Sequence, residues 1–195
     1  MSQTYPIAVF LSGSGRTLEN ILRHRDGGTL PVDICVVISS SAKVRGVTVA
    51  RDAGIDTRVV LKSAFPDDAG YRDAMFGPCR DAGVRLVVMA GFLKHVLVPD
   101  DFHRRVINIH PSLIPAFAGH GMYGHHIHEA AIERGVQFSG CTVHYVDNDY
   151  DHGPIILQRV CAVPLLCTPS ELAARVFELE CEAMPTAINA VLHAI

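Results

Sequence analysis

The chain has 195 residues, a formal net charge of −3 and 49% hydrophobic residues, which is typical of a folded globular protein with a sizeable core. The lack of a basic excess argues against a nucleic-acid-binding surface, because such a surface must neutralise phosphates. No apolar run approaches the ~18 residues of a membrane helix, and the first residues lack the basic and apolar segments of a signal peptide. We therefore expect a cytoplasmic chain, one domain over residues 1–195, without nucleic-acid or membrane partners. Monomer and homodimer both stay open.

Apolar runs alternate with segments of helical period, which is typical of β–α–β units and a parallel sheet. The predicted strands cover residues 7–12, 34–39, 57–61, 86–90, 106–110, 141–146 and 155–163. Helices are predicted from about residue 17, over 42–54, 69–83 and 124–135, and from residue 168 onward, with a short one at 99–104. A polar turn joins the last two strands. The fold class predicted is α/β, a doubly wound, mostly parallel (Rossmann-like) sheet with a mixed antiparallel C-terminal half.

The six cysteines are scattered along the chain and form neither a CxxC pair nor a zinc-ligand spacing. Several of them lie in apolar, strand-like runs, where a free thiol behaves as a small hydrophobic group. A disulfide framework is not expected in a cytosolic chain that can form a core. The sequence therefore predicts that all six cysteines are structural.

A glycine-rich loop follows the first predicted strand and reads SGSGRT at residues 12–17. Glycines at this place let the backbone curl so that amides at the start of the next helix face an anion. Leu18 stands where the dinucleotide fingerprint has its third glycine, and the Gly-Lys-Ser/Thr of a P-loop is missing. The loop therefore predicts a site for one phosphate, aided by Thr17 and Arg16, with a plain strand-to-helix turn as the alternative.

Asn108 and His110 end the fifth predicted strand, directly before Pro111. Because side chains alternate along a strand, the two lie on the same face, about 6.6 Å apart. They stand at the carboxyl end of a strand, where open α/β sheets place their sites. An amide can stabilise a developing oxyanion while an imidazole moves a proton, which is suited to acyl or formyl transfer. The alternative is a pair that only satisfies backbone groups of the following loop.

An acidic turn at residues 147–154 joins the last two predicted strands. Its acids could simply cap local amides, and their spacing is not that of a calcium-binding EF-hand. Asp151 lies beside the rigid Gly153-Pro154 turn and is the acid we expect to reach His110. A carboxylate within a few Å of an imidazole favours the protonated form, which can donate a proton.

Four of the eleven histidines fall between His120 and His128. His125 and His128 would share one face of a helix, so a metal site is an alternative to a hydrogen-bonding helix start. Metal pairs more often use an i,i+4 spacing with a nearby carboxylate. The prediction is therefore that no metal binds here.

Taken together, these motifs resemble one family. In chain order they are SGSGRTL at 12–18, MAGFLKHVLVP at 89–99, NIHPSLIP at 108–115, GCTVHYV at 140–146, DHGPIILQ at 151–158 and ARVFELECEAMP at 174–185. Asn-Ile-His-Pro-Ser-Leu with a downstream Asp-x-Gly-Pro is specific to formyltransferase domains. The chain thus resembles, almost end to end, the folate-dependent formyltransferases, and among them the phosphoribosylglycinamide (glycinamide ribonucleotide) formyltransferases of purine biosynthesis.

The resemblance implies the formyltransferase fold and a formyl transfer between two small molecules. The primary amine of 5'-phosphoribosylglycinamide would attack the formyl carbon of 10-formyltetrahydrofolate, a co-substrate, without a metal. Asn108 would stabilise the tetrahedral oxyanion, and His110 would carry the amine proton to the leaving N10. Asp151 would position His110 or an ordered water.

The resemblance also implies binding roles at other positions. The family's phosphate loop matches Ser12, Gly13, Gly15, Arg16 and Thr17, although the usual Ser-Asn is here Arg16-Thr17. Its ribose-binding acid matches Glu180. The folate pocket matches Leu93, Lys94, His95 and Val96, together with Asp147. Supporting histidines match His126, His128 and His144.

Other segments also depart from the family pattern. Residues 65–68 lack the basic residue that would meet the folate tail, and residues 119–124 make a longer segment than the family form. The alternatives are a formyltetrahydrofolate deformylase, a formyltransferase for another sugar-nucleotide amine, and a non-catalytic folate or nucleotide binder. The deformylases carry His-His-Ser-Phe where this chain has His110-Pro111-Ser112-Leu113. A binder would need no proton shuttle, which counts against it.

Overall fold

A computed structural model describes residues 4–195 of the chain. The strands are β1 (Tyr5–Leu11), β2 (Val32–Ser39), β3 (Asp56–Val59), β4 (Leu86–Met89), β5 (Val106–His110), β6 (Phe138–Tyr145) and β7 (Ile155–Ala162). The helices are α1 (Arg16–Asp26), α2 (Arg45–Asp52), α3 (Asp68–Asp81), α4 (His125–Arg134) and α5 (Pro169–Ala194). Short 3-10 turns lie at Lys62–Ala64 and Asp100–Phe102.

The seven strands follow the hydrogen-bonding order β3-β2-β1-β4-β5-β6-β7. β1 pairs in parallel with β2 and β4, and β2 pairs in parallel with β3. β6 and β7 pair antiparallel, with Phe138 opposite Ala162. The predicted fold class, a mostly parallel sheet with an antiparallel C-terminal part, is therefore confirmed.

The chain divides into two compact units. The first holds the described residues up to Ile107 together with Ile188–Ile195. Residues 7–11 of β1 are fully buried, as expected of an apolar strand covered on both faces in a parallel sheet. α1 buries Leu18, Ile21 and Leu22, which recur at helical spacing and face the core.

The second unit runs from Asn108 to Ala187. It contains the end of β5, then α4, β6 and β7, and most of α5. β6 is buried along most of its length, whereas β7 has half-buried and exposed residues throughout. The prediction of one domain over residues 1–195 concerns the whole chain and stays a prediction.

Several predicted bounds were wrong at element ends. β6 begins at Phe138 rather than at residue 141, because the exposed Phe138 continues the ladder with β7 although it packs in no core. α2 is shorter than predicted, and the segment 99–104 forms only a 3-10 turn at Asp100–Phe102. The start of β6 depends on pairing with β7, which local periodicity does not show, and helix ends are the least certain part of a periodic pattern.

All six cysteines are free; Cys79, Cys141 and Cys167 are buried and the others are half-buried. Burial raises the pKa of the Cys79 thiol to about 12, which keeps it protonated and unreactive. Within residues 4–195, no helix is both long and apolar enough to cross a membrane. Over the same range, no group of three His, Cys, Asp or Glu side chains is arranged to hold a metal ion.

Candidate active site

The end of β5 and the turn after Tyr145 bring three of the predicted residues together in the second unit. Nδ1 of His110 lies 3.3 Å from Oδ2 of Asp151, and the two side chains are 5% and 11% exposed. Asn108 shares the strand face of His110 and is half-buried. The expected contact between Asp151 and His110 is therefore present, with the amide of Asn108 two residues away along the strand.

The second ring nitrogen of His110 is also engaged. Nε2 lies 2.8 Å from the backbone carbonyl of Phe117. Because a carbonyl can only accept, Nε2 must carry the hydrogen, so Nδ1 is the nitrogen free to gain and lose a proton. Phe117 has a positive φ of 52°, an uncommon conformation outside glycine, and its carbonyl also accepts from Ser112 Oγ at 3.3 Å.

The carboxylate of Asp151 is oriented by the backbone as well. Its Oδ2 accepts the amide of Gly119 at 3.0 Å, and Asp151 itself has a φ of +53°. Phe117 and Gly119 thus supply the two backbone groups that hold His110 and Asp151. Neither was predicted, and no sequence signal could identify them, because they act through main-chain atoms of an irregular loop.

The buried Thr142 stabilises the start of the loop that follows β5. Thr142 Oγ1 donates to the carbonyl of Ser112 at 2.7 Å and accepts from the amide of Ile114 at 3.1 Å. The side-chain amide of Gln158 donates to the same oxygen at 3.0 Å. Thr142 was also missed, because a single threonine in an apolar strand has no distinguishing pattern.

The three predicted supporting histidines differ in their surroundings. His144 is 2% exposed and His128 is 5% exposed, and burial is the largest cause that lowers the pKa of each. Nδ1 of His128 has no hydrogen-bond partner among the described residues. His126 instead lies exposed on α4 and pairs with Glu129 at 3.1 Å. The structure thus places His126 in a surface ion pair, unlike the two buried rings.

The glycine loop lies in the first unit and leads directly into α1. Gly15 has a φ of +79°, and a Cβ atom there would lie 2.6 Å from Cα of Gly46. The amide of Gly46 donates to the carbonyl of Gly13 at 3.1 Å. Gly15 is the N-cap residue of α1, and it has no side chain that could accept a hydrogen bond from the first amides of the helix. Such amides can bind an anion.

Other side chains fix this loop. The hydroxyls of Ser12 and Ser40 hydrogen-bond at 2.6 Å, and the amide of Leu93 donates to Ser12 Oγ at 2.9 Å. Arg45 donates to the carbonyl of Ser14 at 3.1 Å and pairs with Glu19. The hydrogen bond from Arg45 lowers the pKa of Glu19. Arg45 was missed by sequence analysis, because it follows the loop by some thirty residues.

Of the predicted folate residues of the first unit, Lys94 lines a cationic cleft of about 630 Å³. Its lining includes three lysines and three serines, namely Lys43, Lys62, Lys94, Ser40, Ser41 and Ser63. Lys62 donates to the carbonyl of His95 at 3.1 Å and pairs with Asp68 at 2.9 Å. Leu93 is 53% exposed, whereas Val96 is buried.

The two remaining predicted residues lie in the second unit. Asp147 accepts from the ring of His152 at 2.8 Å and from the amide of Asp149 at 3.0 Å. Glu180 is half-buried on α5. Burial, and secondly the charge of Glu180, raise the pKa of Cys141 to about 12.

Comparison with known proteins decides the family. The formyl transferase family pattern matches residues 5–188 of the chain. The chain belongs to the formyl transferase family. This confirms the family that the motifs predicted.

The chain is similar to several proteins of this family with known names. A phosphoribosylglycinamide formyltransferase of Haemophilus influenzae is 36% identical over 188 residues, which are 94% of this chain and 85% of that protein. A chloroplastic phosphoribosylglycinamide formyltransferase of Arabidopsis thaliana is 35% identical over 95% of this chain. The chain spans 64% of the length of that plant relative and 56% of a second one from Vigna unguiculata.

A solved structure supports the same relationship. Glycinamide ribonucleotide transformylase 1 from Symbiobacterium toebii is 37% identical and superposes with a TM-score of 0.88, over 96% of this chain and 87% of that one. The chain thus has the fold of this related structure along nearly its whole length.

Proposed function

We propose that this formyl transferase moves the formyl group of 10-formyltetrahydrofolate to the primary amine of 5'-phosphoribosylglycinamide, a step of purine biosynthesis. The names of its relatives support the acceptor and the transfer of a formyl group, whereas the folate donor is what the motif resemblance implies. The observation that carries the proposal is the state of His110, whose Nε2 is held by a carbonyl while Nδ1 faces Asp151. A ring held in this way has one nitrogen with which to exchange protons.

The proposed reaction starts when the amine nitrogen attacks the formyl carbon and the carbonyl electrons move to its oxygen. The side-chain amide of Asn108 would donate to this oxyanion, a contribution typically worth about 10²–10³ in rate. Nδ1 of His110 would take the proton from the new ammonium group and give it to N10 of the folate. The oxyanion electrons then re-form the carbonyl as the bond between carbon and N10 breaks, leaving the N-formylated amine and tetrahydrofolate.

Asp151 would act on this proton transfer through His110. Its carboxylate lies 3.3 Å from Nδ1, so it stabilises the imidazolium that forms between the two proton-transfer steps. The amide of Gly119 keeps the carboxylate in place. The geometry therefore supports Asp151 as the positioning and charge-stabilising partner.

Binding roles complete the proposal. The uncapped start of α1 with Ser12, Gly13, Gly15, Arg16 and Thr17 would bind the ribonucleotide phosphate. Glu180 would bind the ribose. The folate would be bound at Leu93, Lys94, His95, Val96 and Asp147, with His126, His128 and His144 in supporting roles. Six free thiols favour a reducing compartment, so we infer a cytoplasmic location.

The test is turnover of 10-formyl-5,8-dideazafolate, followed by absorbance with and without 5'-phosphoribosylglycinamide. The proposal expects turnover only when the ribonucleotide is present. Breakdown of the donor without any acceptor would instead assign a deformylase. Donor binding without turnover would contradict the proposed acceptor and favour another amine or a binding protein.

A further inference from the structure

His144 lies in β6 beside the proposed catalytic residues, and its ring makes two directed contacts. Nδ1 lies 2.8 Å from the backbone carbonyl of Tyr145. Nε2 lies 3.3 Å from the side-chain nitrogen of Asn108. The ring is 2% exposed, so both contacts are shielded from water.

The first contact determines the tautomer. A backbone carbonyl has lone pairs and no hydrogen to offer, so Nδ1 of His144 must be the donor. Burial lowers the pKa of His144, which favours the neutral ring. A neutral ring with its hydrogen on Nδ1 has a lone pair on Nε2. Nε2 can therefore only accept.

The second contact then determines which end of the Asn108 amide faces His144. The oxygen and nitrogen of an amide have nearly the same shape, so the surrounding hydrogen bonds decide between its two orientations. An accepting Nε2 binds the NH₂ group and would repel the carbonyl oxygen. The other N–H of Asn108 remains available to a substrate oxygen.

We propose that His144 is a positioning residue. The Tyr145 carbonyl fixes the tautomer of its ring, and the accepting Nε2 then orients the Asn108 amide so that an N–H group can donate to the oxyanion. The inference rests on the proposed function in one respect, the role of Asn108 as oxyanion donor. The tautomer and the amide orientation follow from the contacts alone.

The neighbouring carboxylate fits the same arrangement. Oδ1 of Asp151 lies 3.7 Å from Nε2 of His144, beyond hydrogen-bond distance, whereas Oδ2 has His110 and Gly119 as neighbours. A hydrogen on Nε2 would draw Asp151 towards His144 and away from His110. The Nδ1–H tautomer of His144 therefore also leaves the carboxylate to His110.

The tautomer can be measured directly on the unmodified protein. Long-range ¹H–¹⁵N correlation spectra at neutral pH, with His144 assigned by loss of its signals in His144→Gln, should show a protonated Nδ1 and an unprotonated Nε2. His193, whose Nδ1 donates to the carbonyl of Asn189 at 2.8 Å, is an exposed reference with the same type of bond. A protonated Nε2 on His144 would overturn the inference.

Kinetics test whether His144 acts through Asn108. His144→Leu removes the acceptor and should lower kcat by about 10–100-fold, with a smaller change in KM. His144→Gln offers an amide oxygen that can accept at the same place and should recover most of that loss. His193→Leu, the matched exposed control, should leave kcat unchanged.

A double-mutant cycle separates positioning from an independent role. In an Asn108→Ala background, adding His144→Leu should lower kcat by less than about twofold, because the amide it orients is gone. An equal loss in both backgrounds would contradict the inference. If the unmodified protein shows no acceptor-dependent turnover, the proposed function fails, while the spectra still decide the tautomer of His144.

Discussion

Oδ2 of Asp151 is shared between the imidazole of His110, 3.3 Å away, and the backbone amide of Gly119, 3.0 Å away. The amide cannot move without moving its loop, so the negative charge is held beside Nδ1 whatever the protonation state of the ring. Because the Asp151 side chain is only 11% exposed, water screens this interaction weakly. The pair is thus suited to stabilising a transient imidazolium.

Asp151→Asn should lower kcat by about 10²–10⁴-fold, because it removes the charge that stabilises protonated His110 and keeps the size of the side chain. The Asn oxygen can still accept the amide of Gly119, so the fold should be retained. Steady-state turnover of the formyl donor with the ribonucleotide would measure the effect. Asp149→Asn, an exposed residue of the same turn, is the control and should have full activity. Equal activity in both variants would contradict the role of Asp151.

Gly15→Ala should raise KM for the ribonucleotide more than it lowers kcat, and should destabilise the fold by roughly 2–4 kcal/mol. The new Cβ would lie 2.6 Å from Cα of Gly46, so the glycine loop and the start of α2 must separate. Gly28→Ala is the matched control, because Gly28 has a φ of +71° and open space around its Cβ position. It carries the conformational strain without the clash. If chemical denaturation shows equal losses for both variants, the contact between Gly15 and Gly46 has no structural importance.

Thr142→Val should destabilise the protein by about 2–4 kcal/mol, although it keeps the volume of the side chain. It would leave the carbonyl of Ser112 and the amide of Ile114 without the hydroxyl that now bonds both. Urea unfolding would measure the difference. Thr186→Val provides the comparison, since the Thr186 hydroxyl donates to the carbonyl of Glu182 at an exposed position. A loss below about 1 kcal/mol at Thr142 would show that water or the loop compensates for the hydroxyl.

Stability should decline as the pH falls below the ordinary histidine pKa of about 6.5. The pKa of His128 is lowered by burial and by the charges of His125 and His110, and burial lowers that of His144. The unfolded chain then binds protons that the folded chain does not. The stabilisation is complete above the unfolded pKa and is lost as the pH falls through the lowered folded value.

Urea midpoints at about pH 7.5 and about pH 5.5 would test this pH dependence. The decrease in the urea midpoint from the higher to the lower pH should be smaller in His128→Gln than in the unmodified protein. His126 lies on the exposed side of α4, so the decrease in the urea midpoint should be the same in His126→Gln as in the unmodified protein. An unchanged decrease in the urea midpoint of His128→Gln would contradict the prediction.

Local sequence patterns were sufficient to predict the strands and to select the three central residues of the candidate site. The period of the apolar residues predicted the strands and their order along the chain, and β5 was predicted with its observed bounds, Val106–His110. Alternation along that strand placed Asn108 and His110 on one face, and the Gly-Pro turn singled out Asp151 among its acidic neighbours. Motif resemblance added the family. Element ends such as those of α2 and β6 were less accurate, because the start of β6 is set by its pairing with β7 and helix ends are poorly marked by apolar periodicity.

The sequence by itself thus determined the fold class, the family and the chemical groups of the candidate site. Only the tertiary structure decided which nitrogen of His110 faces Asp151, because the carbonyl of Phe117 and the amide of Gly119 that orient the two side chains are main-chain groups. The same holds for the tautomer of His144, which depends on the Tyr145 carbonyl. The sequence lists every side chain, whereas the direction in which a backbone carbonyl or amide points is set only when the chain folds.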